Sequence, residues 1–264
     1  NSIFPGAPEI CGAGIDQSCS GSAQPCGSNP HSNLSWNSYP SSCLGCHNGG
    51  EAGDHYTEVF NSTHYRWVGE APDMVNQPAI LQGKLTNAVN SYCIHIEGDW
   101  PVCGSCHAGR GIKPGEGDAI DNVDCLVCHN VDYAMSRVRR ADGSMGPPDG
   151  TPQAALDSYV QNIAPPTRAS CLKCHANAGG GDGVKRGDLS MALITNADPT
   201  FDVHMSTSGP DLQCQDCHTF QNHKVIGKGS DLRPTDDLSR GSEVACVTCH
   251  VGMDSGSGHA SAGR

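Results

Sequence analysis

The pentapeptide Cys-x-x-Cys-His occurs six times in 264 residues: Cys43-Leu-Gly-Cys46-His47, Cys103-Gly-Ser-Cys106-His107, Cys125-Leu-Val-Cys128-His129, Cys171-Leu-Lys-Cys174-His175, Cys214-Gln-Asp-Cys217-His218 and Cys246-Val-Thr-Cys249-His250. With 16 cysteines and 13 histidines in the chain, chance placement yields roughly 0.05 copies, so the repetition is not accidental. On a helical turn, positions i, i+3 and i+4 share one face, so two thiols and the imidazole after them converge on one object. That is the arrangement of c-type haem attachment, in which the thiols form thioethers to the haem vinyls and the imidazole turns to the iron. Cys43, Cys46, Cys103, Cys106, Cys125, Cys128, Cys171, Cys174, Cys214, Cys217, Cys246 and Cys249 are the attachment residues, and His47, His107, His129, His175, His218 and His250 the first axial ligands. The implied complement is six covalently bound haem c groups. Zinc is the rival for paired cysteines with histidine, but zinc sites are usually completed by a second, distant pair, which six identical pentapeptides fit poorly.

Composition points the same way. Only 36% of residues are hydrophobic and 5% aromatic, while glycine and proline reach about 19%. Side chains alone do not fill such an interior. The expected fold class is a multihaem cytochrome c, mostly irregular with short α-helices and little β-structure, its core formed by six packed haems. The longest uninterrupted apolar run, 191–194, is far below the roughly 20 residues of a membrane-spanning helix. The chain begins at Asn1 without an apolar signal segment, as expected where an export signal has been removed. The expected location is extracellular or at the cell surface, with the periplasm as the alternative. A formal charge of -12 repels phosphate backbones and anionic membranes, so no nucleic-acid partner is expected. The basic cluster Arg137, Arg139 and Arg140 reads as a solvated face.

Each iron has one axial position left over. Seven further histidines supply candidates: His31, His55, His64, His95, His204, His223 and His259. Demand nearly equals supply, and neutral imidazole suits iron. His55, His64, His204 and His223 are the leading sixth ligands, with His31, His95 and His259 behind them. The methionines follow no pattern tied to the motifs, so low-potential bis-histidine haems are expected.

Cys11, Cys19, Cys26 and Cys93 remain. An even remainder in an exported chain suggests two disulfides, in any of three connectivities. They would fasten down the Ser/Gly/Asn/Pro-rich arm 1–42. Residues 43–254 form the hexahaem domain, with 141–151 as the best internal linker between lobes 43–140 and 152–254, and 255–264 as a Gly/Ser-rich tail. The motif gaps follow no fixed period. The shortest, between the second and third, makes those two sites close neighbours.

A helix is predicted over 152–163, with Thr151 as cap, Pro152 in first position and Leu156, Tyr159, Val160 and Ile163 on one face. Another starts near Asp54, with Tyr56, Val59 and Phe60 facing a haem. The run Gly179-Gly-Gly-Asp-Gly183 reads as a tight turn; Lys185 does not complete a phosphate-binding loop.

Asn122-Val-Asp-Cys-Leu-Val-Cys-His129, Cys103-Gly-Ser-Cys-His-Ala-Gly109, Gly179-Gly-Gly-Asp-Gly-Val-Lys-Arg-Gly-Asp-Leu189, Asp202-Val-His-Met205 and Asn222-His-Lys-Val225 together resemble the octahaem tetrathionate reductase family of multihaem cytochromes. The resemblance spans roughly 43–226. It implies a periplasmic reductase of small sulfur and nitrogen oxyanions, with one lysine-ligated haem open to substrate. Lys113 and Cys93 look like the family's lysine and cysteine at that haem. The chain departs from the family in having six motifs rather than eight, and in His95, placed to close the open face. The ordinary reading of Lys113 is an exposed loop lysine.

Two functions follow as expectations. One is long-range electron transfer by a hexahaem cytochrome, polymerising into an extracellular conductive filament in which His31 and His259 reach haems of neighbouring subunits. Redox proteins or extracellular acceptors would be its partners. The alternative is a tetrathionate, nitrite or hydroxylamine reductase at the haem on Cys103 and Cys106, with Lys113 and Cys93 in the site.

Overall fold

A computed structural model describes residues 29–50, 52–70, 81–83, 100, 104–117, 119–177, 181–184, 188–218 and 220–225. Four attachment motifs lie in or at the edge of short helices, as their spacing requires: α1 (Ser41–His47), α4 (Leu126–His129), α7 (Arg168–His175) and α8 (Cys214–Cys217). The second motif makes a turn instead, held by Gly104 N–H donating to Trp100 O at 2.8 Å. Between the motifs lie α2 (His55–Phe60), α3 (Thr63–Arg66), α5 (Val131–Ser136) and α6 (Gln153–Gln161).

Among the described residues sheet is confined to three two-stranded antiparallel ribbons: β1 (Val68–Glu70) with β2 (Leu81–Gly83), β3 (Val138–Arg139) with β4 (Met145–Gly146), and β5 (Phe220–Gln221) with β6 (Lys224–Val225). The registers place Val68 opposite Gly83, Val138 opposite Gly146 and Phe220 opposite Val225. Among the described residues no helix is long and apolar enough to cross a membrane.

Among the described residues the scarce apolar side chains gather into three small cores. Tyr39, Leu126, Tyr133 and Val160 form the first, covered by Leu34, Trp36, Cys43 and Tyr159. Trp36 holds it together, its ring 5.2 Å from Tyr39, 5.7 Å from Tyr133 and 6.2 Å from Tyr159; such aromatic contacts add about 0.5–1.5 kcal/mol each beyond area burial. The second is Tyr56, Tyr65 and Val123, with Val59, Phe60, Leu44, Cys43 and Cys125 against it. Tyr56, Val59 and Phe60 therefore face protein, not the haem expected of them, because Tyr65 from the adjacent α3 and Val123 from distant chain cover that side of α2. Leu172, Ala176 and Leu193 make the third.

Helix α6 is shorter at both ends than the 152–163 predicted. Thr151 does not cap it: its Oγ1 donates to Pro148 O at 2.6 Å, and Pro152 occupies the cap position with extended ψ. At the other end Asn162 leaves helical dihedrals, three residues before Pro165, whose ring disfavours helix in the residue preceding it. Val160 is the fully buried residue of its apolar face.

Residues 141–151 contain the return of the β3–β4 ribbon. Asp142 Oδ1 accepts from the Ser144 N–H and hydroxyl, Gly143 adopts φ +86°, and Met145 N–H donates to Arg110 O at 2.8 Å. Helices on either side of the ribbon, α5 and α7, pack together. The glycine-rich segment after α7 turns back on it: Gly183, at φ +61°, donates to Ala176 O and Leu189 to His175 O.

Candidate haem-binding centre

Nine motif cysteines lie among the described residues, and none of them is paired in a disulfide. Cys103, Cys246, Cys249, His250, His95, His259, Cys93 and Cys11, Cys19 and Cys26 lie outside them. The described motifs touch in a row. Cys43 of the first and Cys125 of the third pack on the same Tyr56–Tyr65–Val123 core. The third is joined to the second by backbone: Asp124 N–H donates to Ala108 O at 3.0 Å and Arg110 N–H to Asn122 O at 2.7 Å. Cys106 of the second neighbours Cys174 of the fourth, and that thiol together with burial pushes the Cys174 thiol up. Cys171 of the fourth neighbours Cys214 of the fifth. Burial and the nearby Asp124 carboxylate push Cys125 up to about 12 and Cys128 to about 11.

The histidines assemble with the same order. Three motif imidazoles face an imidazole from elsewhere in the chain: His129 and His223 have ring centroids 6.3 Å apart, His175 and His64 6.3 Å, and His47 has His55 at 5.7 Å and His31 at 6.3 Å. Two imidazoles ligating one metal from opposite sides, each through a bond of about 2.0–2.1 Å, have centroids roughly 6 Å apart. The residues present therefore fit haem iron at the first, third and fourth motifs. Ligating histidines usually donate their second ring N–H to a carboxylate or carbonyl, which fixes the tautomer. Ala164 O takes that role for His129 Nδ1 at 2.9 Å. Glu58 Oε2 takes it for His55 Nδ1 at 2.9 Å and for His223 Nδ1 at 2.7 Å. Burial, with the neighbouring imidazoles, holds His47 below its ordinary range, and burial does the same for His129; neutral imidazole is the form that binds metal.

His31 stacks beside His47 of its own chain at an interplanar angle of 17°. His204 lies on the surface with its N–H on Asp202 Oδ1, and His218 is half-buried at the end of α8.

The second motif differs. His107 is completely buried, its Nε2 donating to Tyr65 O at 2.7 Å, with Tyr65, Trp67 and Trp100 rings 4.8, 5.4 and 5.2 Å from it. The nitrogen that would bind iron is engaged by protein, so this arrangement does not fit a haem on Cys106 unless that bond is given up. Lys113 is not the exposed loop lysine of the sequence reading: its side chain is 13% exposed and Nζ lies 2.9 Å from Glu116 Oε1. Its neighbour Ile112 is tied through O to Asn122 Nδ2, which also reaches Tyr65 Oη.

Two charged residues missed by sequence reasoning anchor the motifs. Arg137 is buried, not part of a solvated basic face. Its Nε lies 2.9 Å from Asp124 Oδ2, while its guanidinium donates to the carbonyls of Ser105, His107 and Gly109. Asp124 also accepts from Tyr39 Oη at 2.8 Å and Tyr133 Oη at 2.7 Å. One ion pair thus locks the second motif to the third. Arg168 does the equivalent between the fourth and fifth, donating to Asp211 Oδ1, Leu212 O and Leu193 O. Glu58 was missed as well; its one signal is the helical i, i+3 spacing from His55.

Among solved structures the chain is similar to the octaheme cytochrome c from Shewanella oneidensis, at 30% sequence identity and a TM-score of 0.58, over 78% of this chain and 44% of that one. That likeness supports a relationship to a multihaem cytochrome c. It spans less than half the length of that solved chain. The predominance of short helix and irregular structure, with little sheet, fits the relationship. An uncharacterized protein of Archaeoglobus fulgidus is 27% identical over 229 residues, covering 69% of this chain and 73% of that protein. No family model matches the chain.

Proposed function

We propose that this chain is a hexahaem c-type cytochrome that carries electrons over long distances outside the cytoplasm. The observation that carries the reading is that attachment histidines face second imidazoles at the spacing of axial pairs. The bound haem supplies a reversible one-electron iron couple, and the protein supplies spacing, ligation and exclusion of side reactions.

The axial pairs are His47 with His55, His129 with His223 and His175 with His64. At His47 the choice of His55 over His31 rests on its Nδ1, which Glu58 holds; the His31 ring makes no hydrogen bond of that kind among the described residues. Motif-to-motif contacts run first, third, second, fourth, fifth, a continuous route. A haem at the second motif requires His107 Nε2 to give up its bond to Tyr65 O.

Denatured-haem absorbance with intact mass tests the complement, and electron paramagnetic resonance tests ligation. Six haems with low-spin ferric spectra are expected. A large high-spin signal that shifts on adding nitrite or tetrathionate would overturn the reading in favour of a reductase. Assembly into a filament extends the proposal, since a haem row serves long distances only by continuing from chain to chain. Negative-stain microscopy showing only discrete particles in every condition would remove that extension.

A further inference from the structure

A single carboxylate oxygen, Glu58 Oε2, accepts hydrogen bonds from two imidazoles that lie 168 residues apart in the sequence, His55 Nδ1 at 2.9 Å and His223 Nδ1 at 2.7 Å. The two rings are 4.8 Å apart. Beyond them stand His47, 5.7 Å from His55, and His129, 6.3 Å from His223. Glu58 thus sits at the centre of a run of imidazoles connecting the first and third attachment motifs.

We propose that Glu58 is a shared positioning residue for two haems, orienting the sixth ligand of the first through His55 and of the third through His223. The inference rests on the axial pairs proposed above. With Nδ1–H committed to the carboxylate, each ring is left with Nε2 as its free ligating nitrogen, and the tautomer is fixed. A carboxylate on the far nitrogen also raises ligand basicity, which favours ferric over ferrous iron. Because one oxygen serves both rings, the two haems are tuned together: losing Glu58 raises both potentials at once, whereas an ordinary outer ligand governs a single iron. Helix α2 makes the arrangement possible, since His55 and Glu58 are one turn apart on it, and the β5–β6 turn delivers His223 at φ +56°.

The test uses the holoprotein carrying Glu58→Ala or Glu58→Gln, with Asp54→Asn as a charge-only control, because Asp54 makes no side-chain capping hydrogen bond on α2. Haem content is measured first, and thermal unfolding checks that the variants fold. A wild-type protein without six low-spin haems would sink the haem reading itself, independently of Glu58. With the haems present, spectroelectrochemical titration of Glu58→Ala should show two components moving to higher potential. Each should move by about a tenfold change in ferric preference, 59 mV for a one-electron couple. The paramagnetic resonance g-values of the same two haems should change. Glu58→Gln, whose amide oxygen still accepts one N–H, should give a smaller shift. One component moving alone, unchanged g-values, or a shift no different from that of Asp54→Asn would overturn the proposal. So would one divalent ion per chain found by elemental analysis of the wild type and lost in Glu58→Ala, since the three side chains would then hold a separate metal.

Discussion

Arg137 Nε lies 2.9 Å from Asp124 Oδ2, with the two side chains 1% and 0% exposed. Removing one member of a buried pair strands the other charge, whereas replacing both by apolar groups of similar volume is tolerated. Arg137→Met should cost about 3–5 kcal/mol in denaturant unfolding, and Arg137→Met with Asp124→Leu distinctly less. Equal losses in the single and double variants would contradict the pairing.

Two phenols complete the shell of that carboxylate. Tyr133→Phe removes the 2.7 Å bond to Asp124 Oδ2 while keeping the ring packed. The expected loss is about 1–3 kcal/mol, the cost of a buried acceptor left short of a donor. Ser136→Ala, on the same helix and only partly buried, serves as the comparison and should stay within about 0.5–1.5 kcal/mol.

At Gly109 a methyl group has nowhere to go. A Cβ there would lie 2.4 Å from His107 Cε1, 2.6 Å from His107 Nδ1 and 3.1 Å from Asn122 Nδ2. Gly109→Ala should destabilise the chain by about 1–3 kcal/mol through overpacking. It should also move His107, read as a changed near-ultraviolet signal from Trp67 and Trp100; an unchanged tryptophan environment would contradict this.

Asp157 gives the pH dependence. Its carboxylate accepts from Trp36 N–H at 2.8 Å and from Ser35 Oγ at 3.0 Å, and bonds from Trp36, then Gln153, hold it below the ordinary aspartate range. The unfolded chain therefore takes up the proton first as pH falls, so this contribution is complete above about pH 3.9 and fades as pH drops through the depressed folded value. Limited proteolysis should release the 29–38 segment in that acid window. In Asp157→Asn the segment should be susceptible at neutral pH too, and acid should add nothing further.

A fourth site can be isolated by ligand exchange. His64 is the imidazole facing His175, 6.3 Å away, and methionine in place of histidine raises a haem potential. In His64→Met, one component of the redox titration should rise while the others hold. A change spread over all six components would speak against the pairing.

The helical form of most Cys-x-x-Cys-His segments was legible because it is set within five consecutive residues, and α6 because its apolar period is local. What escaped the sequence was made by long-range approach. Arg137 stands in a basic cluster, yet the chain turns into β3 immediately after it, leaving Arg139 exposed and Arg137 buried on Asp124. Tyr56 and Phe60 carry the apolar spacing of a buried face, but nothing local says that Tyr65 and Val123, not a cofactor, will cover it. Glu58 is one helical turn from His55, yet its second imidazole is 165 residues away. No window of sequence contains both.

The segment that brings His31 beside His47 is held by α6. Asn29 Nδ2 donates to Gln161 O, Gln161 Nε2 to Leu34 O, and Ser35 and Trp36 to Asp157, across sequence separations of 121 to 132 residues. At roughly 5–20 residues per second of synthesis, α6 emerges on the order of 6–24 s after the segment it clamps. Chain order and assembly order therefore run opposite ways here. The segment beside His47 is unclamped until α6 has followed it, so a chain cut short before Asp157 leaves that segment without its anchor.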